Sequence, residues 1–148
     1  MIDDLKTPEL VAVALDAAES GHLVIASVTA HTTSAAVGRL IETAPYDRQT
    51  QVALSLSECL RGAVAQVLLR KTGGGRVAAR ELLFNMPSVA ALIAEGKVGR
   101  LRVNGARWFL PSRIKSEVPS VAEGSVPDLN QVGKEIVAVY RLADRRVT

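Results

Sequence analysis

The chain has 148 residues, one ordinary domain's worth, with a formal net charge of +3 and acids and bases interspersed. Hydrophobic residues make up 48 % and aromatic ones 3 %, so the core must be aliphatic, and no aromatic platform stands beside a basic block to bind a polyanion. A single cysteine, Cys59, excludes an internal disulfide and fits a reducing compartment; with two histidines it makes no zinc constellation.

The start, Met1-Ile2-Asp3-Asp4, is acidic and has no apolar signal core. Residues 8–20 read as a helix: Thr7 caps it, Pro8 suits its first turn, Glu9 sits where the helix dipole favours an acid, and Gly21 ends it. Residues 23–28 are a short run of mostly branched aliphatics without polar alternation, as expected of a strand buried on both faces. That run is far too short to cross a bilayer, and the expectation is a soluble, cytoplasmic chain with no direct membrane insertion. Thr32, Thr33 and Ser34 offer caps for a helix to about Glu42, which Pro45 stops.

Asp47 can cap a long helix over residues 48–69, because Val52, Leu56, Leu60, Val64 and Val67 recur every three or four positions. Residues 71–75 are a turn, 76–84 a strand, and 88–95 a short helix capped by Ser88 and closed by Gly96. Asn104-Gly105 between two strand-like runs predicts a hairpin over residues 98–111. Residues 112–128 carry prolines and small residues and read as a linker; residues 129–148 read as an amphipathic C-terminal helix ending on Arg141, Arg145 and Arg146. The order is α/β, helix-rich with few strands. Such a paucity of strands hints at an incomplete sheet, in which strand 23–28 exposes an edge.

No segment matches the phosphate-binding pattern G-x-x-x-x-G-K-[ST]. The glycines of "KTGGGR" (residues 71–76) precede a strand rather than a helix, so they read as a turn. No nucleophile elbow is present either.

Four blocks in order resemble the hexameric P-loop ATPases of type IV pilus retraction and type II–IV secretion, the PilT-like family. They are "ALDAAESGHLVIASV" (14–28), "HTTSAA" (31–36), "LRGAVAQVLLRKTGGGRVAARELL" (60–83) and "PSVAALIAEGK" (87–97). The resemblance implies that residues 1–97 are part of a RecA-like ATPase core, the C-terminal half, beginning at the end of its Walker B strand. It places Asp4 at the family's catalytic glutamate, one methylene shorter, with Asp3 reachable by a one-residue shift; an acidic chain start is the alternative for both. The nucleotide-sensing histidine falls on His31 if "HTTSAA" is matched, or on Thr29 by a gapless count; His31 is otherwise an ordinary residue before a helix cap. Arg39 and Arg61 align with family arginines able to reach a phosphate or a neighbouring subunit, or else they stand on solvated helix faces. The Arg-Asn pair of the family's short helix is absent from residues 89–97.

The family implies ATP and Mg²⁺ as ligands, a homo-hexamer, and an inner-membrane pilus or secretion platform as partner. None of these ligands is expected of this chain alone, since the phosphate loop is missing. The expected function is therefore a truncated motor ATPase of twitching motility or secretion, inactive by itself. The alternative is a non-catalytic module that partners an intact secretion ATPase. A nucleic-acid binder is the weakest reading, for the basic residues stand at the chain's end without a binding motif.

Overall fold

The computed structural model describes residues 1–70, 75–101, 106–109 and 135–140. Helix α1 (Pro8–Glu19) starts as its sequence dictates: Thr7 accepts the Leu10 N–H at 3.4 Å and Pro8 occupies the first turn. Gly21 leaves it at φ +105°, a conformation that favours glycine. Its inward stripe, Val11, Ala14, Leu15 and Ala18, is buried. Strand β1 (Val24–Val28) follows, then α2 (Thr33–Thr43), whose cap is Thr32 Oγ1 accepting from Ala35 N–H at 3.1 Å.

The long helix expected over residues 48–69 is instead two elements. A 3₁₀ turn (Tyr46–Arg48), with no side-chain cap at the helix start that follows, leads into α3 (Gln49–Cys59), and the chain then extends as β2 (Leu60–Arg70). The spacing that suggested one helix is ambiguous: Leu60 and Val64 lie four apart, which is one helical face but also one strand face. Pairing with a neighbouring strand on each side decides for the strand, and Gly62 lets one of them approach closely. A Cβ there would lie 3.1 Å from the Leu83 carbonyl oxygen of the next strand, an approach that favours a residue without a side chain.

Strand β3 (Arg76–Phe84) pairs antiparallel with β2, from Gly62↔Phe84 to Arg70↔Arg76. Helix α4 (Pro87–Ala94) carries Pro87 in its first turn and has no side-chain cap, so Ser88 does not cap it; it closes at Gly96, φ +69°. Residues 98–100 form a 3₁₀ turn, and β4 (Ala106–Phe109) pairs with β3, so the expected hairpin is not formed from residues 98–101. Its Asn104-Gly105 turn and the linker 112–128 lie outside the described residues.

The C-terminal helix is corrected too: residues 135–140 are strand β5 (Glu135–Tyr140). Ile136, Val137, Val139 and Tyr140 are strand formers, and ladders on both sides outweigh the weak helical pattern. The sheet order is β1-β5-β2-β3-β4. β5 runs antiparallel to β1 and to β2, so those two strands are parallel to each other.

Alternate residues Val24, Ala26, Val28, Ala63, Ala65 and Leu83 join the helices' inward stripes in one buried cluster. The helices therefore lie against one face of the sheet, with α3 touching α1, α2 and α4. Neither edge of β1 is bare: β5 takes one side, and residues 2–5 follow the other. Cys59, at the end of α3, is buried and its thiol is pushed up, first by burial and then by Glu19 and Glu58. It is expected to resist thiol reagents near neutral pH until the chain is unfolded by denaturant; immediate labelling of the folded protein would contradict this placement.

Candidate functional site

The outer edge of β1 positions the acidic pair. Ile2 N–H donates to the Ile25 carbonyl at 2.8 Å, Ser27 N–H to that of Ile2 at 3.1 Å, and Leu5 N–H to that of Ser27 at 2.9 Å. Between these bonds the backbone turns at Asp4, φ +52°, a left-handed conformation that aspartate tolerates better than most residues. The turn brings both carboxylates to Ser27 and Thr29, at the end of the strand. Ser27 Oγ accepts from Asp4 N–H at 2.7 Å and donates to Asp3 Oδ1 at 2.9 Å. Thr29 Oγ1 donates to Asp4 Oδ2 at 3.3 Å, and Lys6 Nζ lies 2.7 Å from the same oxygen. Arg39, on α2, donates from Nη1 to the Thr29 carbonyl at 2.8 Å.

The network so formed runs Lys6–Asp4–Thr29–Arg39, with Asp3 joined through Ser27. Four residues singled out from sequence meet here: Asp3, Asp4, Thr29 and Arg39. The hydrogen bond from Lys6 is the largest influence holding Asp4 below the ordinary carboxylate range; its charge, Thr29 and Arg39 act the same way. Lys6 is raised in turn, chiefly by its bond to Asp4. A depressed carboxylate contributes stability that is present above its unfolded pKa and is lost as pH falls through the folded one. Thermal melts at acid pH should show that loss in the parent chain and lack it in Asp4→Asn, which keeps the backbone shape and removes the ion pair. Identical acid profiles would count against the pairing.

The two other candidates stand apart. The His31 ring is exposed and outside this network. Arg61 is exposed at a β-bulge where β2 begins, between Leu60 and Gly62. The register puts that end of β2 level with Val24, so Arg61 lies roughly 20 Å from Thr29, a strand's length along and two strand positions across.

Glu81 escaped the sequence reading. It sits on β3 at an inward-facing position, 2 % exposed, and its Oε2 accepts the Thr33 N–H at 2.7 Å. A carboxylate at the first turn of α2 satisfies an amide the helix cannot and complements the helix dipole. It thereby fixes the loop carrying Thr29 and His31. An acid flanked two residues away by Ala79 and Leu83 was the available signal, since alternation places all three on the buried face.

Chemically, the network is an ionised carboxylate with an adjacent hydroxyl, able to orient a water or face a cation. Among the described residues no group of three or more His, Cys, Asp or Glu could hold a metal. A Mg²⁺–nucleotide would need donors beyond those described here. A cleft of about 480 Å³ lies elsewhere, between α2, α3 and the end of α4, and none of the named candidates lines it.

Comparison with known proteins identifies the lineage. No family model matches the chain. It is 40 % identical over 103 residues to the type IV pilus retraction ATPase PilT of Pseudomonas aeruginosa, covering 68 % of this chain and 29 % of that protein. The crystal structure of the pilus retraction motor PilT with bound ADP superposes with a TM-score of 0.64 at 38 % identity, over 68 % of this chain and 29 % of that one. The ATPase DotB of Yersinia pseudotuberculosis matches 85 % of this chain and 34 % of its own, with a TM-score of 0.65 and 26 % identity. Over the matched residues the chain belongs to the PilT-like ATPases of pilus retraction and secretion, carries part of their α/β P-loop fold, and spans less than a third of the length of PilT.

Proposed function

We propose that this chain supplies one side of the nucleotide site of a motor ATPase of twitching motility or secretion, and does not hydrolyse ATP by itself. The convergence of Asp4, Thr29 and Arg39 at the end of β1 carries the reading. Asp4, with Asp3 beside it, acts as the carboxylate that orients the attacking water or the Mg²⁺ shell. Thr29 and the His31 loop sense the nucleotide, and Arg39 holds that loop in place. Arg61, exposed on its bulge, is assigned to contacts with a neighbouring subunit. The assembled motor is a cytoplasmic hexamer working against a membrane platform. No helix of the described residues is long and apolar enough to cross a membrane.

Two measurements test this. Purified chain should bind ATP no tighter than ~1 mM, about 4 kcal/mol, and a tighter Kd would overturn the assignment of an incomplete site. A pilus retraction ATPase whose matching segment is replaced by residues 1–101 should retain nucleotide binding and hydrolyse ATP. Asp4→Ala in that chimera should abolish hydrolysis while sparing binding; undiminished turnover would remove Asp4 from the chemistry.

The second reading, a non-catalytic module partnering an intact ATPase, is favoured by one observation: the C-terminal strand β5 fills the middle of the sheet in the antiparallel sense.

A further inference from the structure

We propose that the gap between β1 and β2 is an acceptor slot for a parallel, branched-aliphatic strand of a partner ATPase subunit, and that β5 plugs it in the isolated chain. The inference rests on the family reading above and on three features of the sheet. β1 and β2 are parallel and joined through α2 and α3, yet one strand position is left between them. Helical crossovers build parallel sheets, in which an antiparallel strand belongs at an edge. β5 breaks that pattern, standing in the centre and antiparallel to both neighbours.

The second feature is the slot's walls. Ala26, Ala63 and Ala65 are small, buried and helix-facing, which leaves side-chain room for a bulkier aliphatic strand between them. The register of β5 sets Ala138 opposite both Ala26 and Ala63, three alanines abreast, and Ile136 opposite Ala65. The third is where the strand comes from. Residues 110–134 separate β4 from β5 in sequence, so the plug is tethered to the rest of the sheet by a long segment. The chain matches 29 % of PilT, so most of such a subunit lies outside the matched segment, which makes it the source proposed for a fitting strand.

The test is to co-express the full chain with a tagged pilus retraction ATPase trimmed of the segment that aligns with it, without nucleotide. Capture is expected at equal stoichiometry, and amides of residues 135–140 should lose hydrogen-exchange protection in the complex. Val137→Pro removes a ladder donor from β5 and should raise capture about tenfold, because it unseats a competitor tethered at high effective concentration. No capture by either version overturns the proposal. So does capture that leaves residues 135–140 protected, since the partner would then be docking elsewhere. These are binding readouts, so they stand or fall separately from hydrolysis by the chimera.

Discussion

Leu56→Ala is expected to lower the stability of the chain by about 3–5 kcal/mol. Leu56 is fully buried on α3, the helix that touches the three others. Truncating it removes transfer free energy and leaves a cavity that helices held from several sides cannot readily close. A loss of that size should lower the midpoint of thermal unfolding by roughly 10 °C or more in a chain of this length. Leu54→Ala is the control: on the same helix but 48 % exposed, it should change stability by no more than about 0.5 kcal/mol. Equal losses for the two variants in urea denaturation would show that α3 does not organise the core.

The second large effect belongs to Glu81. Glu81→Ala should cost about 2–3 kcal/mol, because it removes a charge-assisted hydrogen bond and leaves the buried Thr33 amide without an acceptor. Glu81→Gln keeps an acceptor within reach and should cost about 1 kcal/mol. Hydrogen exchange would separate this clamp from a general packing defect. Amides in the first turn of α2 should lose protection in Glu81→Ala, while those of the β2–β3 ladder keep theirs. An alanine variant as stable as the parent would mean that the carboxylate fixes nothing.

The local elements were legible where side chains act on their own backbone. Thr7 and Thr32 as caps, Pro8 in a first turn and Gly21 and Gly96 as helix stops are short-range signals, and each is found in the structure. The errors fall where long-range pairing decides. Residues 60–69 and 135–140 carry apolar spacings compatible with helix or strand, and their ladder partners lie elsewhere in the sequence. The same holds for the site. Asp4, Thr29 and Arg39 were picked out by their place in a resemblance, whereas Ser27, which joins Asp3 to the network, carries no local pattern. Glu81 joins the loop from 48 positions away, a separation no local rule reaches.

The β1–β5 ladder also bears on how the molecule is made. It ties Val24 to Tyr140, so almost the whole chain must be present before the sheet can close. Contacts of such separation form late, after loop-closure entropy has been overcome, whereas the β2–β3 ladder joins near neighbours and forms early. During synthesis the helices and the β2–β3 pair therefore emerge and pack before β5 has left the ribosome. For that interval the inner edge of β1 faces solvent, which makes it the moment when the nascent chain is most exposed to mispairing and most dependent on chaperones.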